Sequence, residues 1–257
     1  MKSKTLLRNT VFIVVFLYAN LLHGQSGTQD TTWKKIHKNI IRYNLSGALL
    51  FGFDKYIIFG YERMVNPHQS FSINFGGAGL PKFVSINTDS FRIQKDVKNS
   101  GFNISADYRF YLAHENKYYA PHGVYIGPYV SYNRFNRSND WVFQETSSNQ
   151  KIVSTETKFN IFTAGAELGY QFVFWKRLTL DMVLIGPGIS GYDLNAKIKG
   201  DLTDDQRENL QEALKQLISQ KFPGMNYVFA DKKFNANGVI NTTSIGFRYL
   251  IHIGFAF

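Results

Sequence analysis

Cysteine is absent from all 257 residues of this chain. Its absence excludes a disulfide framework, a thiolate metal site, a cysteine nucleophile and a lipid-modified N-terminal cysteine. Long apolar runs are also scarce, because no stretch of the chain approaches the 18 or so consecutive apolar residues of a spanning helix. If the mature chain enters a membrane, it must do so as a closed β-barrel, whose strands satisfy one another's backbone groups.

Familiar catalytic signatures are missing as well. The sequence contains no HExxH motif, no GxSxG motif and no glycine-rich phosphate loop. His68, His114 and His122 are expected in turns, His37 precedes the first predicted strand, and His252 is expected to point inward. None stands beside an evident serine or aspartate near the outer end of the strands, and the spacing of the histidines is weak for a metal site. We expect no catalytic residue, cofactor or metal.

The first 24 residues have the composition of an export signal. Three basic residues come first, and an apolar run from Val11 to Leu22 follows them. The run is too short to span a membrane, and Gly24 is a suitable small residue before a cleavage site. We predict a signal peptide at residues 1–24 and a mature domain at residues 25–257; a buried N-terminal helix is the alternative.

The chain is basic, with 29 Lys and Arg residues, 19 Asp and Glu residues and a formal net charge of +10. A basic surface attracts anionic partners. On an exported chain we expect those partners to be anionic lipid or polysaccharide rather than nucleic acid.

Alternation of apolar with small or polar residues is the main positive signal. In the last 13 residues the odd positions from Ile245 to Phe257 are all apolar, whereas the even positions include Arg248 and His252. Successive side chains of a strand lie on opposite faces, and the run matches the length of a membrane-spanning strand. The pattern occurs eight times, in residues 40–51, 56–63, 71–76, 102–112, 124–133, 162–172, 178–186 and 245–257.

The connections between these segments alternate in length. Short turns near residues 65–69, 113–122 and 174–177 fall at one end, and long loops at 77–100, 135–157 and 190–241 fall at the other. Outer-membrane barrels have this asymmetry. We predict an all-β, eight-stranded, antiparallel up-and-down transmembrane β-barrel, with a soluble β-sandwich as the alternative.

Two prolines lie inside or near the ends of predicted strands. Proline cannot donate to a strand ladder and is normally confined to edges or bulges. We predict bulges or kinks at Pro128 and Pro187; the alternative is that both strands end early.

One helix is predicted, in a loop insertion at about residues 191–241. Thr203 and Gln206 form a capping box, and an apolar stripe that includes Leu210, Leu214 and Ile218 follows. The stripe is suited to a lid over the barrel or a partner surface, or to packing on residues of its own loop.

The terminal strand and several other segments carry a family resemblance. The chain resembles the small outer-membrane β-barrel proteins of Gram-negative bacteria, of which the OmpA-like eight-stranded barrels are best known. In these proteins a final strand ending in Phe is a signal for the barrel-insertion machinery, and "IGFRYLIHIGFAF", with Phe257 last, matches it. "GVYIGPYVSY", "GAELGYQFVF" and "LDMVLIGPGIS" also resemble a domain of unknown function found in many secreted β-barrel proteins. The resemblance implies an outer-membrane location, with membrane lipid, lipopolysaccharide and the insertion machinery as partners, and it implies no catalytic residue.

Charged residues on the polar faces are expected to meet inside the barrel. Three cations and four carboxylates can pair there, with a histidine nearby. These residues are Arg42, Glu62, Asp107, Arg109, Glu167, Asp181, Arg248 and His252. We predict a structural charge cluster that plugs a monomeric barrel, which serves envelope structure or binds through its long outer loops. The alternatives are a small gated diffusion pore or ligand-transfer barrel and, with less support, a lipid-modifying outer-membrane enzyme.

Overall fold

The computed structural model of the protein describes residues 37–79, 91–146, 149–221 and 224–257. The predicted signal peptide lies outside these residues. Eight antiparallel strands, each paired with its neighbours in sequence, form a closed barrel, which confirms the predicted all-β up-and-down fold. The strands are β1 Asn39–Asn44, β2 Tyr56–Asn66, β3 Gln69–Ala78, β4 Phe91–Tyr111, β5 Gly123–Thr146, β6 Asn149–Phe174, β7 Leu178–Lys199 and β8 Val239–Ala256. Within the described ranges three helices accompany them, α1 Leu45–Phe51, α2 Asp204–Lys221 and α3 Met225–Phe229.

The strands are staggered around the ring. Following paired positions once around the barrel from Ile253 on β8 leads back to Thr243, ten residues away on the same strand. The intermediate positions are Tyr43, Phe59, Phe75, Ile104, Tyr132, Phe162 and Gly191. This offset tilts the strands and leaves an interior that side chains of eight strands can fill.

The outer face of the barrel changes character at one level. Towards the short turns the outward side chains are apolar, such as Phe162 and Ile245, which are 53% and 61% exposed. Beyond that level they are mostly polar, such as the exposed Lys158, and Ile152 is an apolar exception. We call the part of the barrel on the short-turn side the lower half and the part beyond the boundary the upper half. The boundary row consists of Asn160, Asp193 and Asn241, which are cross-strand neighbours.

The predicted first strand is shorter than its alternation indicated. The Asn44 side chain accepts a hydrogen bond from the backbone N–H of Gly47 at 2.9 Å and caps α1, which replaces the strand from Leu45 onwards. Gly52, at φ 101°, ends the helix and donates its N–H to the carbonyl of Ala48. The prediction of a strand through residue 51 was therefore wrong. The spacing of the apolar residues suits a strand or a helix, and the Asn44 cap selects the helix.

The predicted long loops are largely strand. β5 continues to Thr146 and β6 begins at Asn149, so the described part of the predicted loop 135–157 consists of two paired strands. β4 begins at Phe91, inside the predicted loop 77–100. In the described part of the β5 and β6 extensions the outward positions are mostly polar. The inward positions combine apolar residues such as Phe135 and Phe159 with buried polar residues such as Arg137 and Thr155. Because the apolar residues no longer face outward, these extensions resemble loops in sequence.

The two prolines behave differently. Near Pro187 the register of β7 and β8 shifts between Val183 and Gly186, so Leu184 and Ile185 both face outward. Around Pro128 the pairing of β5 with β6 runs without a shift. The predicted irregularity is present at the first site and absent at the second, and neither strand ends early.

The helices of the last connection cover the upper interior. The connection itself spans residues 200–238, shorter than predicted because β7 and β8 extend into it. The capping box is present: Thr203 N–H bonds to Gln206 Oε1 at 3.1 Å, and Gln206 N–H to Thr203 Oγ1 at 3.3 Å. Buried residues of α2 and α3 pack on inward-facing residues of the strands, which favours the predicted lid arrangement. The members of this apolar cap include Phe135, Phe159, Tyr192, Leu194, Ile240, Ile218, Val228 and Phe229.

None of the helices within the described ranges is long and apolar enough to cross a membrane.

Candidate functional site

The lower half encloses a buried cluster of charged side chains. The structure brings together all eight residues named from the sequence. Seven of them are at most 5% exposed, and the side chain of Arg248 is 12% exposed. They come from six strands, and each strand places them inward because they alternate with apolar outward residues.

Arg109 lies at the centre of this charge cluster. Its guanidinium contacts Asp107 at 2.6 Å, Asp181 at 2.9 Å and Glu62 at 3.4 Å. Its Cζ atom lies 4.3 Å from the centroid of the Tyr125 ring, a cation–π distance. One guanidinium therefore joins carboxylates from three strands.

Arg42 makes a second set of bonds across the barrel. It contacts Asp181 at 3.1 Å and Asp107 at 3.3 Å. It also donates to Ser72 Oγ at 2.5 Å and to Asn74 Oδ1 at 3.0 Å. Asp107 and Asp181 are thus each held by two arginines, which is the pairing that buried carboxylates require.

Arg248 and His252 form the edge of the cluster on β8. Arg248 pairs with Glu167, and its Cζ atom lies 3.9 Å from the centroid of the Tyr129 ring. His252 Nδ1 lies 3.2 Å from Asp181 Oδ2. Its Nε2 atom has no hydrogen-bond partner among the described residues, so the His252–Asp181 pair lacks the neighbouring hydroxyl that a Ser–His–Asp mechanism needs.

Neutral polar side chains complete the hydrogen bonding. The Tyr111 hydroxyl donates to Gln171 Oε1 at 2.7 Å, and Ser70 Oγ donates to Glu62 Oε1 at 2.7 Å. The Tyr125 hydroxyl donates to Asp181 Oδ1 at 2.6 Å. The predicted set did not contain these tyrosines. The period of two could have found them, because Tyr111 follows Arg109 by two positions.

The eight residues of the charge cluster meet in the interior of the lower half. Its arginines and carboxylates are in mutual contact and shielded from solvent. No group of three or more metal-ligating side chains suited to an ion occurs in the described part of the chain. Paired, hydrogen-bonded charges of this kind hold the strands in register.

The histidines of the short-turn end have packing contacts. The His122 ring stacks on Tyr118 at a centroid distance of 4.8 Å, and the His68 ring meets Tyr119 edge-on at 5.5 Å. Partial burial lowers the pKa of both histidines below the usual value. These rings help to order the connection between β4 and β5.

Phe257 lies beside the start of β1. Its N–H donates to the carbonyl of Asn39 at 2.8 Å and its carbonyl accepts from the N–H of Asn39 at 3.2 Å. The side chain is 48% exposed. Its role as an insertion signal stays a prediction.

No protein-family model and no curated protein sequence matches the chain. Among solved structures, a major outer membrane protein from Thermus thermophilus is similar at 10% sequence identity, over 85% of this chain and 98% of that chain. The TM-score is 0.32, a likeness too distant to assign a function.

Proposed function

We propose that this protein is an outer-membrane β-barrel whose lower half spans the lipid bilayer and whose upper half projects into water. The observation that carries this proposal is the apolar outer surface of the lower half. Phe75, Phe247 and Tyr249 are 61%, 59% and 62% exposed, and similar residues occupy the outward positions of every strand.

Such a surface is out of place in water. Soluble monomers seldom expose contiguous apolar patches beyond a few hundred Å². A closed barrel is one of the two architectures that satisfy all backbone groups inside a bilayer. On β8 the outward residues from Ile245 to Phe257 are apolar, a length that suits a tilted membrane strand.

The interior supports a scaffold rather than a channel. The charge cluster lies inside the lower half, and the apolar cap of α2 and α3 covers the interior of the upper half. We therefore propose that the functional surface is the exterior of the upper half, which serves envelope structure or binds a partner.

Cations at and above the boundary row suit the phosphate groups of lipopolysaccharide. Arg134, which pairs with Asn160 of that row, and Lys158 and Lys197 above it face outward on three adjacent strands. Lysine and arginine side chains beside a membrane surface attract anionic head groups. Lipopolysaccharide is the partner that we propose for them.

The first experiment is fractionation of cells that express the tagged protein, followed by gel electrophoresis of heated and unheated samples. We expect recovery in the outer membrane and a heat-dependent mobility shift, because a folded barrel migrates differently from the unfolded chain. Recovery as a soluble protein without a shift would contradict the proposal.

Conductance separates the scaffold from its main rival, a small pore. In planar bilayers we expect no ion current above background, with a porin of known conductance as the positive control. Discrete conductance steps would favour the pore.

A further inference from the structure

A groove lies on the outer wall of the barrel, where the apolar surface meets the boundary row. Its lower side is one cross-strand row on β5, β6, β7 and β8, formed by Tyr132, Phe162, Gly191 and Thr243. Its upper side is the boundary row. The volume of the groove is about 590 Å³, which is within the range of small-molecule sites.

Gly191 creates the depression. It faces outward between Phe162 on β6 and Thr243 on β8. A Cβ atom at this position would meet no other atom within 4 Å. The φ angle of Gly191 lies outside the left-handed region, so the backbone itself does not require glycine here. One missing side chain in a row of larger ones therefore leaves space for a group from outside the barrel.

The groove is accessible from outside the barrel. Phe162 is 53% exposed, and Asn241 and Thr243 are also exposed. Tyr132 and Asp193 are partly exposed. A ligand can thus reach an aromatic ring and several polar groups at once.

The boundary row supplies both donors and acceptors of hydrogen bonds. The Tyr132 hydroxyl donates to Asn160 Oδ1 at 3.2 Å, and Asn160 Nδ2 donates to Asp193 Oδ1 at 3.0 Å. Within the described ranges, Asp193 Oδ2 and the Asn241 amide make no hydrogen bond. One carboxylate oxygen and one complete amide are therefore available to a ligand.

This combination of groups suits a sugar ring. The apolar C–H face of a pyranose packs on aromatic rings such as Phe162 and Tyr132. Its hydroxyl groups can donate to the Asp193 carboxylate and accept from the Asn241 amide. A phosphate group would instead be repelled by Asp193, because both carry negative charge.

The surroundings of the groove indicate which sugar compound fits. Below it lies the apolar outer surface, with Ile189 66% exposed on the same strand as Gly191. Arg134 is the cross-strand neighbour of Asn160, and Lys158 and Lys197 face outward above the boundary row. A matching ligand has apolar chains, a sugar ring and phosphate groups. Lipopolysaccharide combines all three.

We propose that this groove binds a sugar ring of lipopolysaccharide. The ring packs on Phe162 and Tyr132 above the backbone of Gly191, and its hydroxyl groups bond to Asp193 and Asn241. The phosphate groups bind the neighbouring cations instead. This inference rests on the proposed function and adds to it a site that recognises the sugar.

Two outward glycines provide a matched test. Gly191→Leu fills the groove, whereas Gly77→Leu adds the same side chain to β3, where a Cβ atom also meets nothing within 4 Å. Cross-strand pairing leads from Gly191 to Phe75, two residues from Gly77, so the two glycines lie at nearly the same level. Asp193→Asn is the second groove variant, and it keeps an acceptor for Asn160. The heat-dependent mobility shift checks that each variant is folded.

Binding is measured by native mass spectrometry of the barrel released from micelles of a sugar-free detergent. The probes are deep-rough lipopolysaccharide, the same material after removal of its phosphates, and phosphatidylglycerol, which has no sugar ring. We expect the dephosphorylated probe to bind the unmodified protein. Its Kd should rise about tenfold or more in Gly191→Leu and Asp193→Asn, because each change removes a ring contact or a charge-assisted hydrogen bond. The Kd should be unchanged in Gly77→Leu, and binding of phosphatidylglycerol should be the same in all variants.

Three results would overturn the sugar site. They are binding of intact but not of dephosphorylated lipopolysaccharide, equal losses in Gly191→Leu and Gly77→Leu, and an equal loss of phosphatidylglycerol binding in Gly191→Leu, which would assign the groove to lipid chains. In each case the outer-membrane placement stands, because fractionation and the mobility shift test it separately. Failure of intact lipopolysaccharide to bind would remove it as the proposed partner, and the sugar site with it.

Discussion

The two halves of the barrel are built with opposite polarity on the same strands. On β6 the lower half carries Phe162 outside and Glu167 inside, whereas the upper half carries Lys158 outside and Phe159 inside. The lower interior is held by ion pairs. The upper interior contains an apolar core shared with α2 and α3, beside buried polar residues such as Arg137 and Thr155. The alternation never stops at the boundary row; only its sense is reversed.

This reversal indicates that each half is fitted to different surroundings. The charged groups inside the lower half are buried, so they must satisfy their hydrogen bonds and charges with one another. The upper half follows the rule of a soluble protein and gains stability from burying apolar side chains. A substitution that gives one half the polarity of the other should therefore lower the free energy of unfolding.

The largest effect is expected from Arg109→Leu in the lower half. The substitution leaves Asp107, Asp181 and Glu62 with fewer opposite charges, and breaking a buried pair in this way costs about 3–5 kcal/mol of unfolding free energy. Urea unfolding in vesicles, followed by the heat-dependent mobility shift, measures the loss. The matched control is Lys158→Leu on the exposed upper exterior, which should change stability by less than about 0.5 kcal/mol. Similar losses of unfolding free energy in the two variants would contradict a stabilising role of the charge cluster.

A smaller and more local effect is expected from Phe229→Ala in the upper half. Phe229 is 1% exposed and its ring lies 5.9 Å from that of Phe159. Loss of the ring should lower the free energy of unfolding by about 3 kcal/mol. This value is at the low end for such a substitution, because the short helix α3 can shift into the cavity that the ring leaves. We expect faster proteolysis within residues 200–238 and an unchanged mobility shift of the barrel. Tyr227→Ala, at a 71% exposed position of the same helix, is the control. Equal rates of cleavage in the two variants would show that Phe229 does not hold α3 on the apolar cap.

The comparison of Phe247→Arg with Asn241→Arg tests the boundary row directly. Both positions face outward on β8, one below the boundary and one on it. An arginine facing lipid costs about 2–4 kcal/mol at the bilayer midplane and close to zero near the interface. Because Phe247 lies between these levels, we expect a loss of about 2 kcal/mol there and little change at Asn241. Folding yield and urea unfolding in vesicles measure both, and equal losses would place the boundary elsewhere.

The sequence was sufficient for the barrel and its charge cluster, for a physical reason. A period of two assigns every residue of a strand to one face, so Asp107 and Arg109 had to lie inside once Tyr108 and Phe110 were outside. It was sufficient for α2 as well, because the capping box at Thr203 is a local signal.

The alternation of apolar and polar residues did not predict α1, the upper parts of the strands or the bulge near Pro187. Leu45 and Leu49 are spaced to suit either one face of a strand or one face of a helix, and the Asn44 cap decides between them. The upper strands were missed because apolar residues were assumed to face outward throughout. Near Pro187 a bulge changes the parity of β7, and neither that shift nor its absence at Pro128 can be derived from proline alone.

The up-and-down topology has a consequence for how the barrel assembles. Seven of the eight strand pairings join consecutive strands, and only that of β1 with β8 joins residues more than 200 positions apart. Chain-entropy costs rise with sequence separation, so local hairpins form early and this seam forms late. The seam is also short, with five paired positions between Ile40–Asn44 and His252–Ala256. The sheet therefore grows with two free edges, and folding is complete when this short ladder closes.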